Sequence, residues 1–206
     1  MPRQVDHDQR RQHIVEALLR ITSTQGLDAI SLREVAHEAG MSMGAVQHYF
    51  ASKDDMLLFA LQQWLRLSVH NRFTARVQSR ITADETKSPT AVLQAVAAEY
   101  LPHDEASRAE ARISVAFLSR AAVVPALATH IAPAFTGFIR SLHDLFQNSG
   151  LPVDAEPEAQ RLAALLDGLR LPVLIGALSY DEALVVIDRH LMLVRDRRPA
   201  LEPTNE

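Results

Sequence analysis

The sequence predicts an all-α protein made of a small N-terminal part and a larger helical body. No stretch of useful length alternates apolar and polar residues with the period of two that a half-buried strand requires, and only seven of the 206 residues are glycine. Long stretches rich in alanine, leucine, arginine and glutamate dominate instead. We therefore expect a three-helix, helix-turn-helix domain over residues 1–53 and a larger helical domain over residues 54–206.

Composition and charge exclude several classes of protein. The chain has no cysteine, so disulfides, thiolate metal sites and cysteine nucleophiles are excluded. The N-terminus has no apolar signal region, and no apolar run approaches the roughly 18 residues of a membrane span, so we expect a cytoplasmic protein without a membrane partner. Residues 1–72 contain eight lysines or arginines and eight aspartates or glutamates, and the whole chain carries a net charge of −4. This balance argues against a non-specific nucleic-acid coat protein, which should be clearly basic.

The first predicted helix runs from about Arg10 to Gln25, and the polar residues 1–9 before it are expected to be frayed. Apolar residues that begin at Ile14 recur at helical spacing and should face the core. Gly26 follows the last turn, where a left-handed C-cap commonly ends a helix.

A short second helix is predicted after Ser31. Ser31 and Glu34 have the S-x-x-E spacing of a capping box, in which each side chain accepts a hydrogen bond from the backbone N–H of the other residue. Ile30 and Val35 can pack across this cap as a hydrophobic staple. Gly40 then allows a sharp turn into the next helix.

Ser42 and Ser52 are the predicted caps of a third and a fourth helix. In the third helix, Val46, Tyr49 and Phe50 should face inward. The fourth helix should continue to about residue 80.

The rest of the chain predicts five further helices. The polar stretch TADETKSPT, which contains Pro89, predicts a loop, and the C-terminal RRPALEPTNE is expected to be disordered. Pro133 lies inside one predicted helix, which it can kink or divide. The five helices cover about residues 89–101, 104–122, 125–149, 157–178 and 181–195.

The two short helices around Gly40 have the arrangement of a DNA-reading helix-turn-helix, whose second helix lies in the major groove. A glutamine such as Gln47 can pair with adenine, alanine and methionine can contact a thymine methyl group, and glycine allows close approach of the backbone. The capped helix N-termini offer backbone N–H groups to phosphates. The predicted DNA-binding residues are Ser31, Arg33, Ser42, Met43, Gly44, Ala45, Gln47, His48, Tyr49 and Lys53.

Lys53 lies in the first turn of the fourth helix, where a cation opposes the helix dipole at a cost of roughly 0.3–1 kcal/mol. A phosphate contact would explain a cation at this position. The alternative is a lysine that is simply solvated.

The run GMSMGAVQHYFASKDDML resembles the TetR family of bacterial transcriptional regulators, whose usual pattern is Gly-apolar-Ser-x-Gly-x-apolar-Tyr-x-aromatic-Phe-x-x-Lys. Gln47 replaces the Tyr of that pattern, a backbone-phosphate and base contact in the family. The phosphate contact is therefore not carried over to this position, and base readout by Gln47 gains weight. The matching residues are Gly26, Ile30, Ser31, Leu32, Arg33, Val35, Ala36, Gly40, Ser42, Gly44, Val46, Tyr49, Phe50 and Lys53.

The stretches LQAVAAEYLPHDEASRAEARISVAFLSRAAVVPALA and AALLDGLRLPVLIGALSYDEALVVIDRHL resemble the C-terminal domain of the BetI-like branch of this family. The resemblance implies nine or ten helices, of which the last two form a four-helix bundle with their mates in a homodimer. Apolar residues at helical spacing in these two helices suit such an interface, and a plain core within one chain is the alternative. The predicted interface residues are Leu162, Leu165, Leu166, Leu169, Val173, Leu184, Ile187 and Leu191.

The resemblance also implies a small molecule in the helical body, whose binding lowers the affinity for DNA, and the fourth helix is the predicted lever because it joins the two domains. The resemblance does not identify choline as that ligand. For each candidate side chain the alternative is ordinary core packing, an ion pair or a solvated face. The candidate ligand-binding residues are Trp64, Tyr100, Arg112, Phe117, Arg120, Phe135 and Phe138.

These observations predict a ligand-responsive transcriptional regulator, a homodimeric repressor that a small molecule releases from a palindromic operator in double-stranded DNA. One alternative is a TetR-like protein that acts through protein partners without a small-molecule inducer. The other is an enzyme, but the sequence has no H-E-x-x-H motif and no phosphate-binding glycine loop. We therefore predict no catalytic residue, no metal site and no cofactor.

Overall fold

The computed structural model of the protein describes residues 2–83 and 90–196, and every regular element within these ranges is helical. The all-α prediction is confirmed. In the first half of the chain the helices are α1 (Pro2–Gln25), α2 (Leu32–Glu38), α3 (Met43–Tyr49), α4 (Lys53–Trp64) and α5 (Thr74–Ala83), with a π-helical segment (Leu65–Phe73) between the last two. The remaining helices are α6 (Ala91–Tyr100), α7 (Glu105–Ala121), α8 (Pro125–Asn148), α9 (Ala155–Leu174) and α10 (Tyr180–Arg195).

Helix α1 begins at Pro2 rather than near Arg10, so the predicted frayed start was wrong for residues 2–9. Proline suits the first position of a helix, because its fixed φ is already helical and its missing N–H would have no partner there. The end of α1 agrees with the prediction. Gly26 has a φ of 80° and donates its N–H to the carbonyl of Thr22 at 3.1 Å.

Serine side chains begin α2, α3 and α4 as predicted. Each hydroxyl accepts a hydrogen bond of 3.1 Å from the backbone N–H three residues later, and these serines are Ser31, Ser42 and Ser52. At Ser31 the predicted capping box is half formed, because the hydroxyl bond is the one side-chain bond that the structure has between this residue and Glu34. Three polar caps in close succession explain why the chain can change direction several times within a short distance.

The fourth predicted helix extends to Ala83, but its middle part is π-helical. Such segments are rare, and they occur frequently at functional sites. The buried hydroxyl of Ser68 accepts a hydrogen bond from Arg72, whose guanidinium also lies 3.3 Å from Glu110 on α7. The ion pair with Glu110 joins the segment to α7, and no periodicity in the sequence predicted these contacts.

Helix α8 continues undivided through Pro133. The loop predicted around Pro89 and the tail predicted to be disordered fall on residues 84–89 and 197–206, outside the described ranges. Within those ranges, no helix combines the length and the apolar character that a membrane span needs.

Contacts divide the chain into two compact units, which are residues 1–72 with 104–134 and residues 73–103 with 135–206. The core of the first unit contains apolar residues of α1–α4, such as Ile14 and Val46, together with Ile113 and Phe117 of α7. The N-terminal helices therefore share their core with a helix that begins 41 residues after the end of α4. The domain boundary at residue 53 remains a prediction.

The core of the second unit contains or contacts all of the residues predicted for the dimer interface. The side chains of five predicted interface residues are at most 1% exposed, because they complete the core of their own chain: Leu162, Leu166, Val173, Ile187 and Leu191. The other three pack partly buried against the same core: Leu165, Leu169 and Leu184. The exposed large apolar residues of α9, its C-cap and α10 are Leu171, Ile175, Val185, Val186, Met192 and Leu193.

Candidate nucleic-acid interface

The turn between α2 and α3 is fixed by three local features. Gly40 has a φ of 63°, a conformation that residues with a Cβ rarely adopt. The N–H of Met41 donates to the carbonyl of Ala36 at 2.9 Å. From α1, His13 Nε2 lies 2.9 Å from the carbonyl of Ala39, and since a carbonyl only accepts, this nitrogen is the donor. The angle between α2 and α3 is therefore fixed by the turn itself and by the hydrogen bond from His13 of α1.

Helix α3 is anchored by one fully buried side chain, and most of its other residues are exposed to solvent. Val46 is fully buried, whereas Met43 is 46% exposed. Gly44, Gln47 and His48 are also exposed, and Ala45 is half-buried. A helix of seven residues has few inward positions, so most of its surface is free to contact a partner. We call residues 2–53, which contain α1–α3, the head.

The other predicted contacts lie around α3. Ser42 and Arg33 are exposed, and Ser31 is half-buried. A serine hydroxyl that accepts a capping bond keeps its own O–H, which can donate to a phosphate oxygen. Lys53 is half-buried, and its Nζ lies 3.5 Å from the carbonyl of Leu27. Because an ammonium group has three donors, this single long contact leaves donors available.

The C-terminal end of α3 packs against the start of α1. The half-buried ring of Tyr49 lies 4.8 Å from the ring of His7 and 5.2 Å from that of His48, measured between centroids. Sequence reasoning missed His7, because its segment was predicted to be frayed. The signal that could have found it was Pro2, which suits the first position of a helix that includes His7.

The residues Gly40 to Gly44 also have the G-x-S-x-G spacing of a nucleophile elbow. That motif places its serine on a strained turn between a strand and a helix. Here Ser42 joins two helices, and its hydroxyl caps α3 by accepting the N–H of Ala45. The local structure is therefore that of a helix-turn-helix.

Two sequence-family profiles match the chain. The profile for bacterial regulatory proteins of the tetR family matches residues 14–59, and the profile for the C-terminal domain of BetI-type transcriptional repressors matches residues 89–195. The chain belongs to the TetR family. It is a transcriptional regulator of that family, and the predicted resemblance to the BetI-type branch is confirmed.

The similarity to known proteins extends over nearly the whole chain. The chain is 32% identical over 207 aligned positions to the HTH-type transcriptional regulator PksA of Bacillus subtilis strain 168, covering 96% of this chain and 97% of PksA. A transcriptional regulator from Rhodococcus sp. RHA1 has the same fold, with a TM-score of 0.75, 31% identity and coverage of 89% and 95%. A regulator from Saccharomonospora viridis, crystallised with choline, also has this fold, with a TM-score of 0.78, 22% identity and coverage of 90% and 96%.

Four of the predicted ligand-binding residues lie in the first unit. Trp64 and Phe117 are buried in its core, with stacked rings 6.3 Å apart. The indole Nε1 of Trp64 is buried and has no hydrogen-bond partner in the described part of the chain. Arg112 forms an ion pair of 2.8 Å with Glu105, and Arg120 is exposed. The two arginines thus fit the alternatives of an ion pair and a solvated face.

An aromatic cluster in the second unit contains two more predicted ligand residues. Tyr100 and Phe138 stack 5.0 Å apart, and Phe73 meets both rings edge-on at 6.5 and 6.4 Å. The Tyr100 hydroxyl donates to Asp167 at 2.5 Å, and the guanidinium of Arg170 lies 5.0 Å from the Tyr100 ring centroid. Burial raises the pKa of the Tyr100 phenol above its ordinary value, and the Asp167 carboxylate acts in the same direction. The cation position on this ring is thus taken by the chain's own Arg170.

The candidate ligand residues are therefore not gathered at one place within either unit, and Phe135 is 42% exposed. The second unit also has a cavity of about 270 Å³, which contains none of the predicted ligand residues. Its lining residues come from the start of α6 and from α10: Thr90, Gln94, Asp188, Leu191, Met192 and Arg195.

Proposed function

We propose that the protein is a ligand-responsive repressor that binds a palindromic operator as a homodimer. The observation that carries this proposal is the outward face of α3, a set of small and polar side chains held on a fixed helix-turn-helix. A helix presented in this way fits the major groove of DNA. DNA binding would take place in the cytoplasm, as the sequence predicts.

Three of the exposed residues of α3 suit specific roles in the groove. Gln47 can form two hydrogen bonds with adenine, and Met43 can contact the methyl group of thymine. Gly44 lets the backbone approach the bases closely. Lys53 and the serine caps can bind phosphates on either side of the groove, which would fix the position of α3 without reading sequence.

The outward faces of α9 and α10 support a homodimer. Exposed residues recur along α9 and at its C-cap at intervals of three or four, with small residues first and large apolar ones last: Ala164, Gly168, Leu171 and Ile175. On α10 the exposed apolar residues are Val185, Val186, Met192 and Leu193. Small residues permit close approach of two helices, and the large ones supply apolar area whose burial would stabilise the pair. A second copy of the chain presents the same two stripes and can cover them in a two-fold arrangement.

The buried Trp64 Nε1 supports a ligand that carries a hydrogen-bond acceptor. An unpaired buried donor costs about 1–3 kcal/mol, and a ligand acceptor would remove that cost. Trp64 lies in α4 and Phe117 in α7, and both belong to the core that holds α1 and α3. A ligand that separates these two rings would therefore displace elements that position α3. The choline bound to the regulator from Saccharomonospora viridis supports the view that this fold can hold a small organic molecule.

Binding to DNA fragments across salt concentrations tests the proposal. We expect the purified protein to select one or a few fragments, such as the region upstream of its own gene. The affinity should fall steeply between 50 and 200 mM salt, because phosphate contacts release counterions. Small molecules that quench Trp64 fluorescence should then release the selected fragment. A protein that selects no fragment under any condition would contradict the proposed function.

The balanced charge of residues 1–72 favours one alternative, a protein of this fold that acts through protein partners without an inducer. The same experiment separates the two functions. The alternative predicts that no fragment is selected, that the weak affinity has a shallow salt dependence, and that no small molecule changes it.

A further inference from the structure

The start of α1 is a part of the head to which the family comparison assigns nothing. The tetR profile begins at Ile14, whereas α1 begins at Pro2, so about three helical turns precede the matched region. Within these turns, His7 packs against Tyr49 at the C-terminal end of α3, with 4.8 Å between the ring centroids. This face of α1 therefore lies along the helix that we propose to enter the groove.

Arg11 continues the same face of α1, four residues after His7. Its guanidinium carbon lies 4.0 Å from the ring centroid of Phe59 and 4.9 Å from that of Phe50, the residue that follows Tyr49. Two aromatic rings thus hold the guanidinium group in place. Neither ring neutralises its charge, since cation–π contacts involve no anion.

The guanidinium nitrogens of Arg11 have no anionic partner in the described part of the chain. The Nε atom is buried without a hydrogen-bond partner, whereas the two terminal nitrogens are not sealed from solvent. None of the three nitrogens forms an ion pair or a hydrogen bond with any residue in the described part of the chain. A guanidinium group that is held rigidly and keeps its outer donors open is prepared to bind a phosphate oxygen.

Arg20 shows what an ordinary arginine of the same helix does. It is exposed, and its Nε donates to the carboxylate of Glu38 at 2.7 Å. Its charge is therefore compensated within the head. Arg11 differs from it in having no such counter-charge in the described part of the chain.

We propose that Arg11 binds a phosphodiester oxygen of the operator backbone, so that the DNA contact extends from α3 onto α1. This inference rests on the proposed DNA-binding function and adds a contact to it. Because Arg11 meets the backbone and not the base edges, it contributes affinity for every sequence and no preference among sequences.

The test compares the full-length protein with Arg11→Met, Arg11→Lys and Arg20→Met. Affinity is measured for the selected fragment and for a scrambled one between 50 and 200 mM salt. Methionine keeps an unbranched stem over the two rings and removes the charge. We expect Arg11→Met to reduce the slope of log affinity against log salt by about 0.9 for each Arg11 at a phosphate, with both fragments weakened by the same factor. Arg11→Lys should keep the slope, and Arg20→Met should match the unmodified protein.

Thermal unfolding verifies that each variant is folded, and Arg11→Gln removes the charge by a second route if the methionine variant unfolds. An unchanged slope in folded Arg11→Met or Arg11→Gln overturns the inference while the proposed function stands. An equal reduction in Arg20→Met also overturns it, because any cation of the head would then serve. Failure of the unmodified protein to select DNA is a different result, which removes the proposed function itself.

Discussion

Helix α3 and the pair α9–α10 use apolar residues in opposite ways. Helix α3 has seven residues and one fully buried anchor, Val46, and its other side chains are mostly polar or small and open to solvent. Helices α9 and α10 have 20 and 16 residues and carry large apolar side chains on both their inner and outer faces. In α3 most side chains can therefore be exchanged without affecting the fold. In α9 and α10 the effect of a substitution depends on whether the residue lies on the inner or the outer face of the helix.

The largest expected effect separates the two faces of the α9–α10 pair. Leu166 is fully buried on the inner face, and Leu193 is 69% exposed on the outer face. Leu166→Ala should lower the free energy of unfolding by about 2–5 kcal/mol, because it leaves a cavity in the core. Leu193→Ala, the matched control, should cost less than half as much when both variants are unfolded in urea at protein concentrations too low for dimer formation. An equal loss of unfolding free energy in the two variants would contradict the assignment of the two leucines to an inner and an outer face.

The next effect concerns the outer face alone. Leu193→Glu should weaken homodimer formation by ~100-fold or more, because a two-fold interface would bury the unpaired carboxylate in both copies. The helical circular dichroism of the monomer should remain unchanged. Analytical ultracentrifugation measures the dimer, and Leu118→Glu at an exposed leucine of α7 is the matched control. A Leu193→Glu protein that dimerises like the unmodified protein would show that this face is not the interface.

In α3 the expected effects are on DNA binding and not on stability. Gln47→Ala should change the preference at one base pair, by about 1–3 kcal/mol of discrimination. Lys53→Ala should weaken binding to all sequences alike and reduce the salt slope by about 0.9 for each phosphate that Lys53 neutralises. Both are measured by selection from a randomised operator library and by titration at several salt concentrations. If the two substitutions act alike on every sequence, the assignment of base and phosphate contacts is wrong.

The smallest expected effect on stability is at Trp64, where a buried residue keeps an unpaired donor. Trp64→Phe should change the free energy of unfolding by no more than about 1 kcal/mol, because the loss of apolar area is offset by removal of that donor. Phe117→Ala, its stacking partner, should cost about 3–5 kcal/mol as a control. Trp64→Phe should also reduce the affinity for a releasing ligand with an acceptor group, as measured by calorimetry. A large loss of stability would show that the indole N–H is satisfied in solution.

The difference between the two regions also explains what could be predicted from the sequence. Gly40 and the serine caps leave a short helix few ways to pack, so most of the exposed residues of α3 could be predicted. Helical periodicity identified an apolar face in α9 and α10, but in helices that are apolar on two sides it cannot tell the core from the surface. The residues predicted for the interface therefore include leucines that the structure buries, and the exposed Leu193 was not among them.

Long-range contacts were the other part that the sequence did not reveal. The packing of Phe117 on Trp64 joins residues far apart in the chain, and no local pattern encodes such a pairing. The same holds for His7, whose contact with Tyr49 depends on how α1 and α3 cross. The candidate ligand residues were chosen for size and polarity alone, and the structure distributes them between two units.

The most direct test of the account is a hydroxyl-radical footprint of the purified protein on a DNA fragment that it selects. Two copies of α3 related by a two-fold axis should protect two symmetrical half-sites, with centres one helical turn of about 10–10.5 base pairs, or a multiple of it, apart. The Leu193→Glu variant should lose this paired protection at concentrations where the unmodified protein retains it. A single unsymmetrical footprint, or paired protection that survives in the monomeric variant, would contradict the claim that two α3 helices read the operator together.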